Sequence, residues 1–108
     1  DYWYLNIATN TWQHVYSYEP YAGLTSAQQQ LIRGGEIALW GEYVDDVNLL
    51  TSLFPRLCVG AERLWSAQYV TDETAALQRL MAQRCRLLNR GTASSPIQPG
   101  DYCDVTYV

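Results

Sequence analysis

Apolar and polar positions alternate with a period of two in two stretches of this chain, and recur at helical spacing in the stretches that follow the second. In the first stretch, Tyr2, Tyr4 and Asn6 fall on one face and Trp3, Leu5 and Ile7 on the other, which predicts a strand from Tyr2 to Ile7. In the second, Glu36, Ala38, Trp40 and Glu42 oppose Ile37, Leu39 and Tyr43, which predicts a strand from Glu36 to Tyr43. Between them, Ala8 to Leu24 shows no sustained period and reads as a long loop with one helical turn around Trp12 to Tyr16. Thr25, with Gln28 three residues on, opens a short helical stretch that Gly34-Gly35 would end. After a loop from Asp45 to Ser52, Pro55 stands where a helix can begin and run to about Ser66. Thr71, Asp72 and Glu73 supply a cap and an acidic first turn for a second helix. It carries Leu77, Leu80, Met81, Arg84 and Leu88 at three-and-four spacing and stops at Gly91. The tail from Thr92 to Val108 is irregular.

Strands followed by helices argue for an α/β fold with a parallel sheet under helical cover. Two parallel strands alone would leave open edges and an uncovered apolar face, so the expectation is a segment of a larger α/β structure. In a barrel of that class the chemistry gathers at the C-terminal ends of the strands. There Tyr4 and Asn6 would meet Trp40 and Glu42.

The pairing of Trp40 with Glu42 is the candidate chemistry. An indole covers the apolar C–H face of a pyranose, and a carboxylate two residues on accepts hydrogen bonds from adjacent hydroxyls. Core filler plus a structural ion pair is the plainer reading of the same two residues. Glu36, at the start of the strand, reads as a buried acid paired with an Arg. Asp45 and Asp46 point apart and read as a loop cap, and His14 as a solvated loop residue.

Composition narrows the choices. A chain of 108 residues with 48% hydrophobic content is one domain or part of one, not a disordered segment. The net charge is −4 and all seven basic side chains are Arg. Four of them (Arg79, Arg84, Arg86, Arg90) lie in one predicted helical segment, so no basic surface for nucleic acid is indicated. No apolar run approaches the roughly 20 residues of a membrane span. Asp1-Tyr2-Trp3-Tyr4 has neither the basic nor the apolar region of a signal peptide, and such a beginning suggests a chain cut from a longer one. Nine Tyr and four Trp against one Phe favour rings with a hydrogen-bonding tip, suited to pockets and interfaces. Three cysteines allow at most one intramolecular bridge. Cys85 and Cys103 are the natural pair, with Cys58 a buried free thiol; three reduced thiols in a cytosolic protein fit the count equally well.

Several short stretches in order carry a resemblance: WYLN at Trp3 to Asn6, EP at Glu19-Pro20, GGEIALWGEYVD at Gly34 to Asp45, and NL at Asn48-Leu49. They continue with PR at Pro55-Arg56, ERLWS at Glu62 to Ser66, RCRLLNRG at Arg84 to Gly91, and Cys103. With these the chain resembles the C-terminal part of the catalytic domain of family 20 glycoside hydrolases, the β-N-acetylhexosaminidases. The resemblance implies a C-terminal fragment of a (β/α)8 TIM barrel: the last two strand-helix units over residues 1–91 and a tail over 92–108. It implies removal of terminal N-acetylglucosamine or N-acetylgalactosamine from glycans or chitin oligosaccharides, with retention. The substrate's own acetamido oxygen attacks, an Asp orients it, and a Glu serves as acid and base. No cofactor or metal is implied.

Residue by residue, Tyr4 would donate to the acetamido oxygen, Trp40 would wall the pocket, Glu42 would accept from the C4 and C6 hydroxyls, and Asn6 would touch the C6 substituent. The implied catalytic Asp-Glu pair belongs upstream, and no His-x-Gly-Gly-Asp-Glu-like sequence occurs here, so the isolated chain is expected to be inactive. A non-catalytic carbohydrate-binding module derived from that barrel is the alternative. The resemblance further implies a Cys85–Cys103 disulfide, a secretory, lysosomal or extracellular setting, the remainder of the barrel as a partner, and room for a homodimer of the full enzyme. Phe54, Ser52 and Cys58 depart from the family's usual Trp, Arg and small residue, all in the helical part.

Overall fold

The structure, a computed structural model, describes residues 3–5 and 10–103. Five helices account for its regular structure: α1 (Trp12–Ser17), α2 (Ser26–Gln29), α3 (Leu49–Leu53), α4 (Arg56–Trp65) and α5 (Glu73–Asn89).

The helix starts follow the capping chemistry. Thr25 and Gln28 form a reciprocal capping box on α2, each side chain accepting from the other's backbone N–H. This helix closes at Gln29, well before Gly34. Pro55 caps α4. For α5 the cap is Asp72 and not Thr71, its carboxylate accepting from Thr74 N at 2.9 Å and Ala75 N at 3.2 Å. Gly91, at φ +78°, turns the chain out of α5.

Two expectations are corrected. The segment read as a loop from Asp45 to Ser52 contains the start of α3, whose five residues are too few to display a period. The predicted strands do not form among the described residues. The two segments meet at a single parallel bridge between Tyr4 and Ala38, with Leu5 N donating to Ala38 O at 2.7 Å and Ala38 N to Trp3 O at 3.0 Å. Two extended segments alone are marginal as a sheet, which needs three or more strands for a stable ladder. Part of the first predicted strand, with Asn6, lies outside the described residues.

Leu5, Val15 and Val59 are fully buried, and Trp12, Tyr16, Ala76, Leu80 and Ile97 complete one core with them. Through it α1 packs on α4 and α4 on α5. Ile37 and Leu39 pack against this core, as the alternation requires, while Trp40, the residue after Leu39, is exposed. The approach is close at Gly60 of α4, where a Cβ would stand 2.2 Å from Ile37 Cδ1. Burying Ile37 and Leu39 therefore fixes which way the intervening Ala38 and the following Trp40 face.

The tail is joined to α5 by a Cys85–Cys103 disulfide and by Arg84, which donates to Ser94 O at 3.2 Å and Asp101 O at 2.7 Å. At its near end, Ser95 binds the turn between α3 and α4, its N donating to Phe54 O and its Oγ to Thr51 O. Cys58 is free and half-buried, and burial pushes its thiol up from the ordinary value. No helix among the described residues is long and apolar enough to cross a membrane.

Candidate functional site

The Tyr4–Ala38 bridge sets the site. It places Tyr4 beside the segment that carries Trp40 and Glu42, although 38 residues separate Tyr4 from Glu42 in the chain. The Tyr4 hydroxyl donates to Glu42 Oε2 at 3.3 Å, and the Tyr4 ring meets the Trp40 indole edge-on at 89°, centroids 6.4 Å apart. With Leu5, Leu39, Tyr43 and Val44 these three residues line an open cleft of about 230 Å³. The indole is 66% exposed, so a flat apolar surface and an acceptor carboxylate face outward together.

Local loss of solvent and then the adjacent Glu42 carboxylate hold the Tyr4 hydroxyl above the ordinary tyrosine value, so it stays a proton donor to higher pH. The arrangement thus offers one phenol donor that keeps its proton, one carboxylate acceptor and one aromatic face within a single cleft. Among the described residues no group of three or more His, Cys, Asp or Glu side chains is placed to hold a metal ion.

The backbone beneath Tyr4 is held from two sides. Asn10 Nδ2 donates to Tyr4 O at 2.5 Å, and Arg56 donates to Leu5 O at 3.3 Å and Asn10 O at 3.0 Å. An arginine can do this because its guanidinium presents several donors in a fixed plane, here directed at the carbonyls on either side of the Tyr4 segment. Across the cleft, the backbone turns at Gly41, where Val44 N donates to Gly41 O at 3.5 Å. That turn breaks the alternation, so Tyr43, expected on the opposite face, lines the same cleft as Glu42.

Of the four predicted site residues, Tyr4, Trp40 and Glu42 come together and Asn6 lies outside the described residues. Glu36 is exposed, not the buried acid expected, because only a longer strand would carry it under a sheet. Asp45 caps its loop, accepting from Val47 N at 2.9 Å and Asn48 N at 3.4 Å, and Asp46 is exposed beside it. His14 is exposed, but within α1 and not in a loop. Asn10, Arg56 and Tyr43 were missed as site-forming residues. Pro55-Arg56 stood among the motif stretches, and that was the only signal the sequence held for this half-buried arginine.

Comparison with known proteins gives this geometry a setting. The pattern described as "Glycosyl hydrolase family 20, catalytic domain" matches residues 2–68, which include the whole cleft. The chain is 44% identical over 108 residues to the beta-hexosaminidase subunit alpha of Bos taurus, covering 97% of this chain and 20% of that protein. It is 45% identical over 105 residues to the human beta-hexosaminidase subunit beta, covering 94% of this chain and 19% of that one. To the beta-hexosaminidase subunit B1 of Dictyostelium discoideum it is 41% identical over 96 residues, covering 89% and 17% respectively. The chain therefore spans about a fifth of the length of the curated relatives it matches.

Proposed function

The chain belongs to glycosyl hydrolase family 20, and on that premise we propose that it is part of a β-N-acetylhexosaminidase and supplies that enzyme's sugar-recognition wall. The observation that carries this reading is the meeting of a donor phenol, an exposed indole and a carboxylate in one cleft. The substrates are glycans ending in N-acetylglucosamine or N-acetylgalactosamine. The fold is the closing part of a (β/α)8 barrel whose other strands extend the Tyr4–Ala38 bridge into a sheet. The tail begins at Thr92 and is fastened to α5 through Cys103. The radius of gyration, 15.1 Å, supports an incomplete body, since about 13 Å is usual for a domain of this length.

In this reading the terminal sugar lies against Trp40. Tyr4 donates a hydrogen bond from its hydroxyl to the acetamido oxygen, keeping its proton, as that oxygen attacks the anomeric carbon. Glu42 accepts from the hydroxyls at C4 and C6, with Asn6 near the C6 substituent. Tyr4 and Glu42 now bind each other, and sugar groups on either side would replace that single 3.3 Å contact with better ones. Protonation of the glycosidic oxygen falls to the Glu of an Asp-Glu pair supplied outside these 108 residues, whose Asp orients the acetamido group. The disulfide supports a secretory, lysosomal or extracellular setting.

The test is substrate-assisted cleavage by the longer parent polypeptide. It should release aglycone from a chromogenic N-acetylglucosaminide and leave the corresponding glucoside, which lacks the acetamido group, intact. Equal cleavage of both would overturn the proposal.

A further inference from the structure

The residue after Glu42 is held by one side chain six positions away from that acid. Asn48 Nδ2 donates to Tyr43 O at 2.8 Å, and Asn48 Oδ1 accepts from Asp45 N at 2.9 Å. One amide thus spans the turn on both sides of Val44 and does there what a neighbouring strand does for a ladder. The two bonds need a donor and an acceptor on the same planar group, which among side chains of this length only asparagine supplies. No other hydrogen bond on the Tyr43 carbonyl is seen in the described residues, so without Asn48 the stretch from Gly41 to Val44 keeps only its long Val44–Gly41 contact of 3.5 Å, the Asp45 bonds lying beyond it.

Asn48 itself is anchored. It stands at the start of α3, where its carbonyl accepts from Ser52 N at 2.9 Å and Thr51 Oγ1 at 3.2 Å. The carbonyl of Thr51 in turn accepts from Ser95 Oγ at 2.8 Å in the tail, which Arg84 and the disulfide join to α5. A continuous set of bonds therefore runs from the rigid helical body to the residue beside Glu42.

We propose that Asn48 is a positioning residue for Glu42: through the Tyr43 carbonyl it sets where the carboxylate stands opposite Tyr4, and so governs recognition of the C4 hydroxyl. This rests on the assignment of Glu42 to that hydroxyl. Asn48 touches no sugar, and its effect must pass through the acid.

The experiment compares an aryl N-acetylglucosaminide with its 4-deoxy counterpart, using the parent polypeptide and its Asn48→Ala and Asn48→Asp variants. Loss of one well-placed hydrogen bond predicts that Asn48→Ala raises KM for the 4-hydroxy substrate about fivefold. For the 4-deoxy substrate the rise in KM should be smaller, about twofold, because of the two hydroxyls assigned to Glu42 only the one at C6 is left to lose. Asn48→Asp keeps the acceptor for Asp45 N and loses the donor, and it should show the same selective effect if Asn48→Ala fails to accumulate. Equal changes on both substrates, or none on either, would overturn the inference. Should the unsubstituted parent bind the two substrates alike, the assignment of Glu42 to the C4 hydroxyl falls, and this inference with it.

Discussion

The helical body and the cleft rim of this chain are built on opposite terms. The body, α1 with α4, α5 and the tail, buries Leu5, Val15, Val59 and Leu80 to within 1% exposure and is closed by a disulfide. The rim from Trp40 to Asn48 leaves Trp40 66%, Tyr43 83% and Val47 86% exposed, and is shaped by hydrogen bonds between side chains and backbone. Burial is insensitive to small displacements, so the body tolerates the absence of neighbours. Directional bonds are sensitive to them, so the rim can place a carboxylate but needs anchoring. Damage to the body should therefore appear as lost stability, and damage to the rim as lost recognition.

The largest expected effect on the body comes from Leu80→Ala, which should lower unfolding free energy by about 2–5 kcal/mol, read from the urea midpoint of the chain. Replacing Cys85 by Ser should cost about 3 kcal/mol in the same measurement, since it releases the tail. If either left stability unchanged while abolishing sugar recognition, the division between body and rim would fail.

On the rim, Glu42→Gln should lower kcat/KM of the parent polypeptide about 10- to 100-fold while leaving the urea midpoint where it was, because an exposed carboxylate that loses its charge weakens only what it binds. A smaller effect concerns pH. The Tyr4 proton is held more firmly in the folded chain than in a free tyrosine, so its contribution to stability is present below the ordinary value of 10.0 and is lost as pH rises through the raised folded value. Activity that depends on this donor should persist to correspondingly higher pH. Tyr4→Phe should abolish that limb of the profile, and an unchanged alkaline limb would separate Tyr4 from it. The smallest effect is chemical: Cys58, with its thiol pushed up by burial, should alkylate slowly at pH 7.5 in the native chain and quickly in denaturant.

The same contrast governs how far the sequence could be read. Helices announced themselves because their signals are local: the Thr25–Gln28 box, Pro55, the acids at 72–73 and Gly91 mark ends within a turn of where they lie. The apolar spacing of α5 showed the buried stripe, with Leu80 in it and Ala76 and Leu87 flanking the positions expected. The strands misled because a strand's existence depends on partners, and the described residues hold a single bridge. Alternation still gave the facing of Ile37, Leu39 and Trp40 correctly. It failed at Tyr43, where the Gly41 turn ends the period. Trp40, Glu42 and Tyr4 were legible as a group from the alternation and the strand ends, with roles added by the motif order, and their supports, Asn10, Arg56 and Asn48, were not, since a side chain that satisfies a distant carbonyl leaves no periodic trace.

The central claim is that these 108 residues recognise the sugar and do not break its bond. Purified chain and longer parent polypeptide should be assayed side by side for aglycone release from a chromogenic N-acetylglucosaminide. The account predicts turnover by the parent and none by the chain alone; sustained release by the isolated chain would contradict it.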